Sequence, residues 1–481
     1  MDFRFVFYVL SFLSLCLAGT LLAPMGISLA NGEEEAKAFL LSVLICGGIG
    51  LGGLALFRSG RKEIGNREGF AIVGLGWVLV CLLGALPFLF AGTFSSLVNA
   101  CFESTSGFTT TGATVLQDIE VLPKGILFWR SLTHWLGGMG IILLSMAILP
   151  MLGVGGMQLY RAEVPGPVPD RLKPRIRETA KTLWMVYVLI SLLEVVFLLI
   201  GGMDGLDAVC HTFGTMATGG FSTRNASIAY YESPYLEGVI TVFMFAAGAN
   251  FALHYQLLQG NPRRYFQDTE FRFYLFAILI ATGGLVLLLR SAPYDTWSAS
   301  FRYAVFQVTS ILTTTGYTTA DYEQWPLVAQ TILFALMFFG GCAGSTGGSV
   351  KCIRILLLLK QAYKEIYRLI HPQAVATIKL GRKTVPPDVM ESVLGFSLVY
   401  VGIFGLATLA MSWLGLDFQS ALASVAACIG NVGPGLGIVG PTKTYLPLVA
   451  TGKWILILCM ILGRLEIFTL LILFLPQFWK K

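Results

Sequence analysis

The stretch "FTTTGATV" (residues 108–115) places threonines and a glycine between two long apolar segments. On the surface of a soluble protein such a stretch would be an ordinary turn. Here it interrupts a chain of 481 residues that is 55% hydrophobic and only 12% charged, whereas soluble proteins carry about a quarter charged residues. The composition predicts a polytopic membrane protein, and the stretch is a polar loop at membrane depth.

Apolar windows that approach the length of a membrane span recur along the chain, since a spanning helix needs about 20 apolar residues. We predict spans, or parts of spans, at 3–30, 38–57, 69–91, 126–152, 183–202, 236–258, 271–290, 327–340, 350–370, 393–416 and 446–476. No soluble domain of useful size remains between them. The first segment has features of a signal peptide, but its apolar run continues past Ala23 and a second span follows, which favours a retained helix.

The charge distribution predicts the orientation. Lysines and arginines cluster in the connections 58–67, 161–181, 263–272 and 360–383 and at the C-terminus. By the positive-inside rule these connections, and both termini, lie in the cytoplasm. The intervening connections carry acidic residues, among them Asp118, Glu120 and Glu323. The net charge of +6 therefore reflects topology and is no indication of nucleic-acid binding.

A semi-polar piece lies between the two apolar segments that consecutive basic connections enclose. Each piece begins as a helix-compatible run and ends in a glycine-centred loop. We name these loops 1 to 4: TTGAT (110–114), ATGGF (217–221), TTGYT (314–318) and NVGPG (431–435). Their central glycines, spaced by about 100 residues, are Gly112, Gly219, Gly316 and Gly433. The spacing predicts four repeats, at 68–160, 161–262, 263–371 and 372–481, after two extra helices in 1–67.

Non-helical backbone at membrane depth is tolerated only where protein buries it or where it lines a wet path. Four loops around one axis therefore predict an all-α membrane protein with an ion pore and one M1–short helix–loop–M2 unit per repeat. Each short helix directs its negative C-terminal end to the axis, which favours cations. Glycine permits positive φ, so that successive carbonyls face inward. Because the loops lack carboxylates, carbonyl selection is favoured over a carboxylate ring.

The candidate filter comprises all residues of the four loops. These are Thr110, Thr111, Gly112, Ala113 and Thr114; Ala217, Thr218, Gly219, Gly220 and Phe221; Thr314, Thr315, Gly316, Tyr317 and Thr318; and Asn431, Val432, Gly433, Pro434 and Gly435. Loop 4 departs most from the pattern, because Asn431 and Pro434 flank its glycine.

A second polar stretch, "FFGGCAGSTGGSVK" (338–351), interrupts the third M2 where a continuous helix is expected. We call it the glycine segment. So many glycines destabilise a helix by about 1 kcal/mol each, which predicts a flexible loop across the pore, a gate at 340–350. The alternative is close helix packing through small residues. The candidate gate residues are Gly340, Gly341, Gly344, Ser345, Thr346, Gly347, Gly348, Lys351 and Arg464.

Arg464 lies deep in the last apolar segment, and an arginine in the membrane usually faces a partner or a wet cavity. It either pairs with Glu466 or with a carboxylate elsewhere, or places its charge beside the ion path near the glycine segment. Lys351 either contacts that segment or extends to the cytoplasmic surface. Glu103, in the first short helix, is expected to hydrogen-bond the backbone of loop 1, and Asp207 to be a helix-start charge.

The strings TTTGAT (109–114), ATGGFST (217–223), LYRAEVPGP (159–167) and HPQAVATIKLGRK (371–383) resemble the Trk/Ktr/HKT superfamily of potassium transport proteins, and within it the bacterial Trk-H type membrane subunit. The resemblance covers nearly the whole chain, and the two extra N-terminal helices are typical of that branch. It implies a homodimer in the bacterial inner membrane with one pore per monomer. It also implies a cytoplasmic ring of Trk-A type RCK subunits, which bind a nucleotide, while this chain holds no organic cofactor.

The same resemblance implies K⁺ as the substrate, and glycine rather than serine at position 112 favours K⁺ over Na⁺. The predicted K⁺ ligands are the carbonyl oxygens of Thr111, Gly112, Thr218, Gly219, Thr315, Gly316, Asn431 and Val432. The resemblance also supports a gate in the third M2.

Two other classes of function compete with a K⁺ channel or transporter subunit. An alternating-access secondary transporter, coupling K⁺ or Na⁺ to H⁺, would often show inverted repeats and broken helices. The repeats here start from basic connections and are parallel, and no midplane carboxylate relay is evident. A membrane enzyme is disfavoured, because HExxH, GxSxG, CxxC and DxD patterns near a membrane surface are missing.

Overall fold

A computed structural model describes residues 1–57, 65–147, 172–291, 293–374, 376–381 and 383–480. Regular structure in this part is almost wholly helical. The helices are Phe3–Thr20, Leu22–Ala30, Ala36–Leu56, Asn66–Gly84, Leu86–Phe90, Leu97–Phe108, Lys124–Ala147, Leu172–Ile200, Gly205–Met216, Pro234–Ala247, Phe251–Leu258, Arg263–Gln267, Thr269–Ser291, Trp297–Leu312, Leu327–Leu336, Cys352–Ile370, Pro387–Trp413, Phe418–Ile429, Ala450–Arg464, Phe468–Leu471 and Pro476–Trp479. Short 3₁₀ turns lie at Ser227–Tyr231, Tyr322–Gln324, Gly437–Val439 and Ile472–Phe474, and a two-residue hairpin pairs Lys379–Leu380 with Lys383–Thr384.

Six helical stretches in the described residues are long and apolar enough to cross a bilayer: Phe3–Ala30, Ala36–Leu56, Arg67–Phe90, Glu178–Ile200, Thr269–Ser291 and Pro387–Trp413. They expose large apolar side chains such as Leu51, Leu192 and Leu409 on their outer faces. Apolar surface of this extent is typical of contact with lipid rather than water. The prediction of an all-α polytopic membrane protein is therefore confirmed.

Two further apolar helix pairs are sharply bent. Pro234–Ala247 and Phe251–Leu258 meet at 103°, and Ala450–Arg464 and Phe468–Phe474 meet at 111°. Asn250 starts the second helix of the first pair, because its side chain accepts the N–H of Ala252 at 2.9 Å. Both breaks matter for the site, because they bring backbone polar groups into the interior.

Four short helices lie between the long ones, as predicted: Leu97–Phe108, Gly205–Met216, Trp297–Leu312 and Phe418–Ile429. In three of them the N-terminus is fixed by a side-chain cap, from Asp204, Thr296 and Asp417, that accepts a first-turn N–H. Their C-terminal halves are buried. Each therefore ends in the interior, at one of the four loops.

The third M2 is interrupted, as predicted. The helix Leu327–Leu336 ends before the glycine segment, and the next helix begins at Cys352. A bridge between Phe339 and Val350 closes the segment at its base. The string 159–167 and the proposed repeat boundary at 160–161 lie outside the described residues, and the division into four repeats remains a prediction.

Candidate filter and gate

The four loops share one backbone conformation. The second residue after each short helix has a positive φ: Thr110 (51°), Thr218 (53°), Thr314 (64°) and Asn431 (54°). Two residues later a glycine has a positive φ: Gly112 (81°), Gly220 (76°), Gly316 (80°) and Gly433 (97°). The residue between them donates its N–H to a carbonyl five residues earlier, at 2.8 Å in every loop. These shared features fix how the loops align with one another.

This alignment corrects the sequence-based register of loop 2. Gly220, not Gly219, has the positive φ and corresponds to Gly112. The loop therefore spans 218–222 instead of 217–221, and Ala217 is the residue that caps the short helix. Gly219 is glycine for a different reason: a Cβ there would lie 2.6 Å from the ring of His134. Both positions therefore require glycine, Gly220 because of its positive φ and Gly219 because of the neighbouring His134 ring.

Each positive-φ glycine packs against a carbonyl oxygen of the next loop. The oxygen nearest to a hypothetical Cβ is that of Gly219 for Gly112 (2.1 Å), of Thr315 for Gly220 (1.9 Å), of Val432 for Gly316 (2.0 Å) and of Thr111 for Gly433 (2.5 Å). The contacts run from loop 1 to 2, 3 and 4 and back to 1. The loops therefore form a closed ring, and all four glycines line one cavity.

The ring also rearranges the predicted carbonyl ligands. Thr111, Gly219, Thr315 and Val432 are equivalent and form one layer. Gly112 and Gly316 belong to a second layer with Gly220 and Gly433, while Thr218 and Asn431 belong to a third with Thr110 and Thr314. The eight predicted ligands therefore come from three layers. In loops 2 and 4 the predicted pair lies one residue earlier than the equivalent pair in loops 1 and 3.

A buried ion pair joins loops 1 and 2. Glu103 accepts from Arg130 Nε at 2.7 Å, from the Thr114 hydroxyl at 2.9 Å and from the backbone N–H of Val115 at 2.9 Å, so it bonds a side chain of loop 1 and the backbone directly after that loop. Arg130 also donates to the carbonyl of Ser222 at 2.8 Å and lies over the ring of Phe221. The sequence analysis missed Arg130, although a charge inside the predicted span 126–152 was the available signal.

Tyrosine hydroxyls join further loops. Tyr317 in loop 3 donates to the carbonyl of Phe221, at 3.2 Å. Tyr322 donates to the carbonyl of Gly435 in loop 4, at 3.0 Å. These bonds satisfy backbone acceptors that would otherwise be buried without a partner, so neighbouring loops hold each other in place.

Loop 4, which departs most from the sequence pattern, is held by side chains on several sides. Asn431 donates through Nδ2 to Thr111 Oγ1 in loop 1, at 3.0 Å. Tyr445 donates its hydroxyl to the carbonyl of Gly433 at 2.7 Å and its N–H to that of Thr114 at 2.8 Å. Loop 4 therefore differs from the other loops in sequence but has the same backbone geometry.

The cavity above the glycines is lined by cationic side chains whose charges are matched. Arg224 lies 2.8 Å from Asp207, and Lys443 lies 2.8 Å from Glu323. Asp207 is in the first turn of its short helix, as predicted. Glu120 lies 4.0 Å from Arg224. Several outer carboxylates are thus engaged by protein groups rather than free at the cavity.

The glycine segment lies against the opposite end of the loops from this cavity. Gly348 donates its N–H to Thr314 Oγ1 at 2.7 Å, and the Thr346 hydroxyl donates to the carbonyl of Met216 at 3.0 Å. A Cβ on Gly348 would lie 2.6 Å from the carbonyl of Gly430. The segment therefore contacts the ends of the second, third and fourth short helices, and its small residues permit that approach.

Arg464 reaches the glycine segment. It is 2% exposed and donates to the carbonyl of Thr346 at 2.7 Å and to that of Gly137 at 3.1 Å. Glu466 pairs with Arg354 instead, so the alternative of a local Arg464–Glu466 pair is wrong.

Lys351 donates to the carbonyl of Gly347 and is 7% exposed. It contacts the segment and does not extend to the surface. Hydrogen bonds within the segment also hold it in place. Gly340 donates to the carbonyl of Val350 at 2.8 Å, and the Ser345 hydroxyl donates to that of Cys342 at 2.6 Å.

The two remaining predicted gate glycines meet the bend of the second unit. A Cβ on Gly341 would lie 2.6 Å from the carbonyl of Gly248. Gly344 has a φ of 77° and accepts the N–H of Phe251 at 3.1 Å. All the predicted gate residues therefore belong to one connected arrangement in the interior.

Comparison with known proteins agrees with this architecture. The family model described as "TrkH: Cation transport protein" matches residues 36–481. The chain is 45% identical over 489 residues to the Trk system potassium uptake protein TrkH of Escherichia coli (strain K12), with all of both chains covered, and 43% identical over 491 residues to that of Halomonas elongata. A crystal structure of the potassium transporter TrkH from Vibrio parahaemolyticus matches with a TM-score of 0.92 at 39% identity, again over all of both chains. The chain belongs to the TrkH family of cation transport proteins.

Proposed function

We propose that the chain is the ion-conducting subunit of a potassium uptake system in the bacterial inner membrane. The observation that carries the proposal is the closed ring of four loops, with the carbonyls of Thr111, Gly219, Thr315 and Val432 in one layer. Relatives named for potassium uptake support the identity of the ion. In this function K⁺ replaces its water shell with carbonyl oxygens as it enters the ring.

The electrostatics of the ring suit a monovalent cation. The four short helices end at the ring, and their C-terminal ends carry partial negative charge. Glu103, the carboxylate bonded to loop 1, is paired with Arg130, so it supplies little net charge. An ion is therefore stabilised by dipoles rather than by a full negative charge, which permits both entry and release.

In this function the glycine segment is the gate. It lies against the short-helix ends and brings the charge of Arg464 within 2.7 Å of the Thr346 carbonyl. A fixed positive charge at this place repels a cation that leaves the ring. Conduction then requires the segment to release its hydrogen bonds to Thr314 and Met216.

The partner assignments belong to the same proposal. We assign the chain to a homodimer with both termini in the cytoplasm, regulated by a cytoplasmic Trk-A type RCK ring that binds the nucleotide. The relatives' names place them in a Trk system, and the basic connections 263–272 and 360–383 offer a charged cytoplasmic surface.

One observation favours coupling to protons as a second candidate. Glu194, in the span Glu178–Ile200, is fully buried, and among the described residues the side chain placed to bond it, Thr215, donates its hydroxyl to the carbonyl of His211 at 2.8 Å instead. A buried ionised carboxylate without a partner is strongly unfavourable, so the group would carry a proton. K⁺ flux in proteoliposomes that depends on a pH gradient, and loses this dependence in E194Q, would favour this candidate over passive conduction.

Growth of a bacterium that lacks its K⁺ uptake systems tests the main proposal. Expression of the chain, with and without the cytoplasmic subunit, should restore growth at low external K⁺. Gly112→Asp should abolish selectivity for K⁺ over Na⁺, because the new side chain meets the Gly219 carbonyl. Gly202→Asp is a matched control, since Gly202 also has a positive φ (84°) but nothing within 4 Å. Rescue by Gly112→Asp with an unchanged K⁺/Na⁺ ratio would refute the filter.

Deletion of 342–347 tests the gate. The deletion removes Thr346 and with it the contacts to Met216 and Arg464, so basal flux should rise in a folded variant. Unchanged or lower flux in a variant that elutes as a native particle would contradict this role.

A further inference from the structure

A carboxylate from outside the glycine segment bonds both the segment and the helix that follows it. Glu270, the second residue of the helix Thr269–Ser291, is buried. Its Oε1 accepts the N–H of Ala343 at 2.7 Å and the N–H of Ile353 at 3.0 Å. Ala343 lies in the segment, and Ile353 lies in the first turn of the helix that follows it. One oxygen atom therefore joins the segment to the helix beyond it.

The electrostatics of this contact favour the bound arrangement. Ile353 belongs to the N-terminus of the helix Cys352–Ile370, where free N–H groups and the helix dipole stabilise a negative charge. Lys351 attracts the Glu270 carboxylate, whereas Asp268 repels it. One acceptor oxygen bonded by two backbone N–H groups therefore holds the segment against the following helix while Glu270 stays in place.

Glu270 is tied to a short helix that precedes it, Arg263–Gln267. Asp268, between the two helices, donates its N–H to the carbonyl of Arg264 at 3.1 Å and accepts the N–H of Phe271 at 2.7 Å. This joint leaves little freedom between the short helix and Glu270. A displacement of the short helix therefore displaces the carboxylate.

The same short helix reaches the glycine segment by a second route. Tyr265 donates its hydroxyl to Nδ1 of His254, whose Nε2–H donates to the carbonyl of Ala246 at 2.8 Å. Ala246 lies just before the 103° bend. At that bend the carbonyl of Gly248 accepts the N–H of Cys342 at 2.8 Å. The short helix thus supports the segment through two independent chains of bonds.

Its outer face is available to the cytoplasmic side of the molecule. Arg263, Arg264 and Phe266 are exposed, whereas Tyr265 points inward to His254. A force applied to the exposed face is transmitted to the segment at Ala343 and at Cys342.

Resting on the proposed gate, we propose that Glu270 is a positioning residue that holds the glycine segment closed, and that the helix Arg263–Gln267 withdraws it when the gate opens. The hydrogen bonds of the carboxylate go to Ala343 and Ile353, which lie outside the four loops, so its effect is on the gate and not on ion selection.

Basal Rb⁺ uptake tests the proposal in proteoliposomes that contain the purified full chain without any cytoplasmic subunit. E270A should raise uptake about ten-fold, since loss of hydrogen bonds that together contribute about 1.4 kcal/mol shifts an equilibrium by that factor. E270D, one methylene shorter, should behave like E270A. E270Q keeps an acceptor oxygen and should restore the low uptake of the unmodified chain.

Two further variants separate positioning from general damage. Y265F removes only the hydroxyl that bonds His254 and should raise basal uptake several-fold without loss of folding. E237A removes another buried carboxylate, which lies 3.2 Å from Arg302. Glu237 is outside the segment, so this variant should leave basal uptake unchanged. The K⁺/Na⁺ ratio should stay constant in all of these variants.

The outcomes are distinguishable. Basal uptake at the unmodified level in both Y265F and folded E270D or E270A overturns the proposal, as does E270Q with uptake as high as E270A. If E270A does not yield a folded particle, Y265F and E270Q decide the question. If the unmodified chain shows no uptake even with its cytoplasmic subunit, the proposed function itself fails.

Discussion

The register of loop 2 leads to a prediction about two adjacent glycines, Gly219 and Gly220. A Cβ at Gly220 would lie 1.9 Å from the carbonyl oxygen of Thr315, more than an ångström inside the 3.0 Å limit of real Cβ contacts. The atom it meets is backbone, and the φ of 76° adds roughly 1–2 kcal/mol for any residue with a side chain. The Thr315 carbonyl must therefore move out of the ring.

The neighbouring glycine is constrained by a side chain instead. A Cβ at Gly219 would lie 2.6 Å from the His134 ring, which is held by a 2.7 Å bond from Nδ1–H to the carbonyl of Gly107 and by stacking on Phe221. Removing the ring relieves this contact. It does nothing for Gly220, whose obstacle is the Thr315 carbonyl.

We therefore expect G220A to lower the K⁺/Na⁺ uptake ratio at least ten-fold, about 1.4 kcal/mol, with or without H134A. G219A alone should lower the K⁺/Na⁺ uptake ratio. In G219A with H134A, the loss should be smaller than the sum of the losses in the two single variants, by about 1 kcal/mol or more. Competition of Na⁺ with Rb⁺ uptake in proteoliposomes measures the ratio for all five variants.

The reverse result would refute this reasoning. If G220A keeps its selectivity while G219A loses it, and H134A gives no relief, then Gly219 is the central glycine and the ring contacts assigned to loop 2 are wrong. Thermal unfolding of each variant separates loss of selectivity from loss of folding.

Three other substitutions test the supports of the ring and the unused carboxylate. R130M leaves Glu103 buried and unpaired, so it should destabilise the protein by about 3–5 kcal/mol; an unchanged melting temperature in detergent would contradict this. Y445F removes the 2.7 Å bond to the Gly433 carbonyl, and with about 1 kcal/mol lost the K⁺/Na⁺ ratio should fall roughly five-fold; a constant ratio would show that this bond does not hold loop 4. E194M removes a buried carboxylate whose candidate donor bonds a backbone carbonyl instead, so the melting temperature should rise or stay constant; a clear fall would indicate a partner for Glu194.

Much of the architecture was accessible from the sequence, because membrane depth and glycine content limit what a segment can do. Non-helical loops inside apolar surroundings had to be buried or to line a path, which located Thr110, Thr314 and the glycine segment. Arg464 could be singled out because a charge in an apolar segment needs a partner. Its actual acceptors, two backbone carbonyls, could not be predicted from spacing.

The errors have a common physical origin. Two consecutive glycines in loop 2 give two possible registers, and only contacts with Thr315 and His134, remote in sequence, distinguish them. Glu194, a single carboxylate in the span Glu178–Ile200, was not singled out, although it is fully buried. That residue and Arg130 could have been found by the same reasoning that was applied to Arg464.

The closure of the ring between its first and last loops has a consequence for biosynthesis. Loop 1 receives Gly433 against the Thr111 carbonyl, Asn431 on its threonine and Tyr445 on Thr114. All of these groups leave the ribosome after the other three loops. A growing chain can therefore contain three of the four loops of the ring while the fourth is still inside the ribosome. Premature termination before residue 431 leaves the ring open, and in the proposed function an open ring could not select ions.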